Sequence, residues 1–237
     1  MSKIIWDNTG ERYYETGTKH GVLYLQDNSG AYVNGVAWNG LTGFSESPDG
    51  GDATEIWADD MKYLSIRARE DFGGTITAYT YPDEFMACDG SATLVAGVVV
   101  GQQARKTFGM SFVTTLGNDV KLDDYGYKIH LIYGATASPS SKDYQTINDS
   151  PEAIEFSWDI DTVPVNVTGL KPTAHLTIDS TKVDAAKLAD LEDILYGTDA
   201  EGSSAGTSAR LPLPDEVKSI LSGSGNTNGS GNTDGEP

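Results

Sequence analysis

The feature that most constrains this chain is a strict two-residue alternation of apolar side chains, repeated from Phe108 to Ile178. Phe108, Met110 and Phe112 project to one side, Gly109 and Ser111 to the other. Tyr127, Ile129, Leu131 and Tyr133 share a face opposite Lys128, His130 and Ile132. Ile154, Phe156, Trp158 and Ile160 lie opposite Glu155, Ser157 and Asp159; Val163, Val165 and Val167, then Ala174, Leu176 and Ile178, continue the series. Side chains of a strand alternate between faces, whereas a helix repeats every ~3.6 residues, so the pattern calls for half-buried antiparallel strands. On this reading His130 and His175 sit on polar, solvent-facing sides.

Other segments agree. Val22–Leu25 reads as a strand ending at the turn Asp27-Asn-Ser-Gly30. Asn34-Gly35, between Tyr32-Val33 and Val36-Ala-Trp38, predicts a type I′ hairpin turn, because both central positions of that turn want positive φ. Ile76–Tyr81 is a further strand, and Gly97-Val-Val-Val-Gly101 predicts a buried one. From Leu41 to Asp60 the pattern dissolves into Gly, Ser, Pro and Asp, which reads as a long loop of functional importance. Thr181-Lys-Val-Asp184 fits a relaxed capping box opening a helix with Leu188, Leu191, Ile194 and Leu195 as its apolar stripe and Gly197 after its end. A second, single-turn helix is predicted to start after Pro214 and run through Val217, Ile220 and Leu221, and another short one to open at Pro82–Phe85. Residues 222–237 are Gly-, Ser- and Asn-rich and read as a flexible tail, leaving one domain over 1–221.

With 237 residues the chain can bury a core without disulfide or metal, and the single Cys88 reads as a partly buried thiol. The amino terminus lacks the apolar run of a signal peptide, and no stretch reaches about 18 consecutive apolar residues. Sixteen basic against thirty-five acidic residues give a net charge of −19, which argues against a surface that grips DNA or anionic membrane. Six acids and no base fall between Phe44 and Met61: Glu46, Asp49, Asp52, Glu55, Asp59 and Asp60. Such a run reads as a solvated loop or as a wall that repels another polyanion.

No motif for catalysis emerges. Phosphate loop, nucleophile elbow, His-Glu-x-x-His and paired-cysteine patterns are all absent, so the chain reads as a non-enzyme with no cofactor, no catalytic residues and no metal site. His20, His130 and His175 are far apart in sequence. Asp49-Gly-Gly-Asp52 and the acids from Asp119 to Asp124 lack EF-hand spacing and read as solvated turns. Trp38, Trp57 and Tyr63 could stack on a ligand but are assigned to the core.

Specific stretches add a resemblance. Tyr14-Glu-Thr-Gly-x-x-x-Gly-Val-Leu-Tyr24 followed by Gly35-Val-Ala-Trp-Asn-Gly-Leu-Thr42 resembles the opening of the major tail proteins of siphophages that infect Gram-positive bacteria. Ala78–Phe85 with Cys88-Asp-Gly90, Ala135–Ser140 running into Tyr144–Trp158, Ile194–Gly197 and Leu211–Glu216 resemble later blocks of that family in the same order. The resemblance implies a mainly β fold: an antiparallel sandwich or half-open barrel of the tail-tube type with one flanking α-helix. It also implies six copies joined in a ring, and rings stacked into a tube in the virion tail, assembled in the host cytoplasm. The implied partners are further copies of the chain, the tape-measure protein and the tail terminator and distal tail proteins, with DNA passing through unbound and no membrane involved. Within that frame 41–60 is expected to bridge rings, and Glu155, Ser157 and Asp159 either to line the lumen or simply to face solvent on the outside. A carbohydrate-binding or adhesive β-sandwich module of the virion is the alternative, and it requires an exposed aromatic cluster.

Overall fold

The computed structural model describes residues 3–147, 149, 152–200 and 205–223, so most of the expected tail lies outside the described residues. The strands are β1 (Tyr13–Gln26), β2 (Tyr32–Trp38), β3 (Leu41–Glu46), β4 (Asp49–Gly50), β5 (Ala53–Ala58), β6 (Met61–Arg67) and β7 (Glu70–Asp71). After them come β8 (Gly73–Ala78), β9 (Ala92–Val95), β10 (Val98–Val100), β11 (Phe108–Asn118), β12 (Leu122–Ala137), β13 (Phe156–Thr162) and β14 (His175–Asp179). Two helices, α1 (Ala185–Tyr196) and α2 (Pro214–Ser222), and a 3-10 turn at Asp83–Ala87 complete the fold. The protein is mainly β and its strand pairs are antiparallel, as the alternation demanded.

One eight-stranded sheet organises the molecule, in the order β2-β1-β11-β12-β13-β8-β3, with β14 also paired to β12. The first part of β12 pairs with β14 (Ile129 with Ile178), and its end pairs with β13 (Ala137 with Ile160). Between them Gly134 adopts φ +62, and a Cβ there would lie 2.1 Å from the Val163 carbonyl oxygen. Only glycine tolerates that corner. Beyond it, β13, β8 and β3 fold over the face of β1, β11 and β12. Phe44 of β3 stacks on Phe112 of β11 with ring centres 5.0 Å apart, and Trp158 of β13 meets Trp38 of β2 edge-on at 5.8 Å.

Two cores result, one on each face of the same three central strands. Leu23, Ile76, Phe85, Phe108, Met110 and Trp158 fill the space between the two layers of sheet. On the opposite face Tyr24, Ile129, Leu131 and Tyr133 pack against Leu188, Leu191 and Leu195 of α1 and Val217 of α2. The tyrosine hydroxyls in this second core are satisfied: Tyr24 donates to the Leu195 carbonyl at 2.8 Å and Tyr133 to that of Pro212 at 2.9 Å. Each bond tethers the helical layer to the sheet at a buried site, where an unpaired hydroxyl would cost ~1–3 kcal/mol.

Several local expectations need correction. Asn34-Gly35 makes no hairpin; Asn34 takes φ 54 as a bulge within a continuous β2, and the chain reverses at Asp27–Ala31. There the Asp27 carboxylate accepts from the backbone N–H groups of Ser29 and Ala31 at 2.8 and 3.0 Å, so side-chain capping outcompetes the dipeptide signal. Residues 41–60 are not a loop but β3, β4 and β5, because strand pairing there comes from residues 61–78 further along the chain. Gly97–Gly101 belongs to an exposed hairpin of β9 and β10, with Val98 and Val99 facing solvent. β13 ends at Thr162, and beyond it Val165 makes only a single bridge to Thr173. The cap of α1 is Asp184, which accepts from Ala186 and Lys187 N–H, while Thr181 turns back to Asp179. α2 opens on Pro214 and runs to Ser222, one residue past the expected boundary.

Candidate functional site: a projecting arm and a polar outer wall

Residues 47–72 leave the sheet between β3 and β8 as an arm. Ser47 N–H bonds the Gly73 carbonyl at its root, β4 pairs with β7 next, and β5 pairs with β6 at the tip. Among the described residues β5 and β6 pair only with each other, and all their residues are exposed. The tip turns through Asp59 and Asp60, both in the left-handed region at φ 51 and 58. This is the type I′ geometry that suits a two-residue hairpin, supplied by aspartates rather than by Asn-Gly.

The register fixes what the arm presents. Ile56 pairs with Leu64 and Thr54 with Ile66, so with a period of two these side chains share one face; an irregularity after Ile56 then shifts the register by one residue and brings Met61 opposite Ala58 on that face. The other face carries Glu55, Trp57 and Lys62, with an ion pair between Glu55 and Lys62. A lone two-stranded ribbon is at best marginally stable in water, and a contiguous exposed apolar face marks an interaction surface. Further open positions lie on the sheet itself. β3 and β14 each have one paired neighbour among the described residues, whereas the outer edge of β2 is partly covered by Ala209 and Leu211.

The second layer turns a different surface outward. Alternation along β13, β8 and β3 places Phe156, Trp158 and Ile160 inside and Ser157, Asp159 and Asp161 outside, beside Thr75, Thr77 and Ser45. Thr75 donates to Asp159 at 2.7 Å and Thr42 to Glu155 at 2.6 Å. Glu155, Ser157 and Asp159 thus lie on one exposed wall of hydroxyls and carboxylates.

The histidines depart from expectation. His130 and His175 are not solvent-facing: His130 is buried and His175 half-buried, because β3 and its neighbours cover that face of the central sheet. His130 Nδ1 lies 3.2 Å from His175 Nε2, and Glu46 Oε1 is 3.7 Å from His175 Nδ1. The rings are clamped by Phe112, stacked on His130 at 4.7 Å, and by Phe72, tilted against His175 at 4.9 Å. Burial, reinforced by the neighbouring His175, holds the His130 pKa below its ordinary value against the pull of Glu15 and Glu46. Burial likewise lowers His175 against the carboxylate of Glu46. Next to them, burial opposes ionisation of Glu15, but hydrogen bonds from Lys128 and Thr114 outweigh it and hold the carboxyl below its usual range.

The remaining candidates separate. His20 lines a distinct cleft of about 590 Å³ against α1, together with Lys19, Tyr127, Glu192 and Tyr196. Trp38 is core, as expected, but Trp57 and Tyr63 are exposed on the arm. Cys88 is fully buried, and burial pushes its thiol up to about 12. Asp119 and Asp123 accept from Gly10 N–H and the Tyr14 hydroxyl, uses that fit a turn. No helix among the described residues is long and apolar enough to cross a membrane.

The period-two stripe of the arm was present in Thr54-x-Ile56-x-Ala58 and Leu64-x-Ile66, but the density of acids around it hid the signal. Glu46 carried no signal of its own. It lies at the end of the row that also holds Gly74 and Ile160, where its side chain stays 45% exposed. A scan against protein-family models finds no match to this chain, and a search of curated proteins finds none either.

Proposed function

We propose that this chain is the tail-tube subunit of a long-tailed phage, a structural protein whose six-membered rings stack into the conduit for the genome. The observation that carries the reading is the arm Ala53–Arg67, a ribbon with an apolar face and no further strand partner among the described residues. In a stack of rings that face is buried against the neighbouring subunit, and the lateral edges of β3 and β14 are paired instead of inviting uncontrolled aggregation. The acidic, hydroxyl-rich wall of Glu155, Ser157 and Asp159 supports a lumen over which DNA slides, since a basic wall would bind phosphates and release counterions. The ordered blocks of sequence similar to siphophage major tail proteins point the same way.

Electron microscopy of the purified chain, with light scattering across concentration and salt, tests the reading. Rings or tubes are expected, and a monomer at every condition would overturn it. Replacing 52–68 with two glycines should leave a folded subunit that no longer elongates.

One observation favours a second reading, an adhesive module: Trp57 and Tyr63 are exposed on the arm. Glycan binding by a monomer that forms no tubes would select it. The rings lie on a projecting ribbon rather than a rigid face, which suits a glycan platform less well.

A further inference from the structure

We propose that Glu46, His130 and His175 form a binding site for a divalent first-row transition metal, zinc by its donor set, that fastens the root of the arm to the central sheet. Among the described residues these three each offer a ligand atom, all within 4.8 Å of one another. Two imidazoles and a carboxylate, with water completing the shell, are a donor set that zinc and its neighbours accept.

A hydrogen bond prepares His130 for this role. Thr114 Oγ1 donates its one proton to Glu15, so towards His130 it can only accept. His130 Nε2, 2.9 Å from that oxygen, is therefore the protonated nitrogen, and Nδ1 carries the free lone pair. This is the arrangement by which an outer carboxylate, here relayed through a hydroxyl, orients a ligating imidazole. In the metal-free chain that lone pair accepts from His175 Nε2–H at 3.2 Å, and a metal seated between the two nitrogens displaces that proton. Two ligands of a tetrahedral zinc at Zn–N distances of about 2.0–2.1 Å stand roughly 3.3 Å apart. The pair thus has the bite of a metal site, and Phe112, stacked on His130, and Phe72, tilted against His175, hold both rings in place. Glu46 is half-exposed and free to swing onto the ion, and the approach is from its side.

The location gives the site a task. His130 is on β12, His175 on β14 and Glu46 ends β3, three residues before the arm's first pair at Asp49. β3 and β14 share no ladder, so an ion held by all three residues would be a direct tie between the folded-over layer and the central sheet.

The test uses the full chain without a histidine tag, stripped with chelator and titrated with zinc by calorimetry and with cobalt(II) by visible absorption. One zinc per chain is expected, with a cobalt d–d spectrum of a low-symmetry, nitrogen-ligated ion and a higher Tm in the presence of zinc. His175→Gln and Glu46→Gln should each weaken zinc at least tenfold and abolish the Tm rise, whereas the control Asp49→Asn/Asp52→Asn should bind as the parent does. Glu46→Gln, at an exposed position, keeps the comparison valid if His175→Gln folds poorly. No binding by the parent chain, or binding unchanged in both variants, would overturn the site. Binding lost in His175→Gln but retained in Glu46→Gln would overturn the three-ligand assignment.

Discussion

Replacing Ile56 and Leu64 with aspartate separates folding from assembly. The two side chains face each other across β5 and β6 and are 39% and 38% exposed. Burying an apolar side chain of this size completely contributes ~1.5–3 kcal/mol, so finishing the job in an intersubunit contact is worth ~0.5–1 kcal/mol at each position. A carboxylate forced into the same dry contact costs at least ~2 kcal/mol more, bringing the double variant to roughly 5 kcal/mol per subunit. At about 1.4 kcal/mol per decade, the critical concentration for tube growth should rise more than ~1000-fold. The body of the monomer loses little, since the arm lies outside its two cores, while facing aspartates loosen the ribbon itself. Pelleting and light scattering measure the first quantity and urea unfolding of the monomer the second. The milder Ile56→Thr/Leu64→Thr variant keeps strand-forming residues and should raise the critical concentration only ~10-fold. If the double aspartate variant polymerises within tenfold of the parent concentration, the arm does not carry the contact.

Other outcomes follow from single positions. Gly134→Ala places a Cβ against the Val163 carbonyl at a corner with φ +62; a loss of more than ~2 kcal/mol in urea unfolding is expected, and a neutral result would show that the corner relaxes. Because burial raises the Cys88 thiol to about 12, the folded chain keeps a proton that the unfolded chain loses above about pH 9. Stability therefore falls as pH rises through that window, Cys88→Ala flattens the fall, and thiol reagents should label Cys88 only on unfolding. Glu155→Lys with Asp159→Lys places two bases on the polar wall. Tubes should form, but genome ejection should slow and become salt-dependent, and an unchanged ejection rate would remove these residues from the lumen.

The sequence disclosed the strands that meet water on one side and concealed those that do not. Ser157 and Asp159 alternate with Phe156 and Trp158 because only one face of β13 is covered, so period and structure agree. In β12 everything from Ile129 to Ala135 is buried, and the alternation of Ile129, His130, Leu131 and Ile132 separates two cores rather than core from solvent. His130 therefore looked solvated and is not. Helix α1 was legible from Leu188, Leu191 and Leu195, and its start was displaced only because aspartate at 184 caps better than the threonine before it. The meeting of Glu46, His130 and His175 was beyond reach, since it depends on pairings between residues far apart in the chain.

Having β1, β11 and β12 as the shared wall between two cores bears on how the molecule fails. Neither the aromatic layer around Trp158 nor the helical layer around Leu191 can come apart without exposing the back of the other, so they should melt as one cooperative unit. The arm is outside this unit. Its amide hydrogens would exchange through local fraying long before the sheet opens, and would be protected only after something closes over it. In such a molecule rigidity is intrinsic to the body but conferred on the arm, so exchange protection at Ala53–Arg67 would report on assembly while the central strands report on folding.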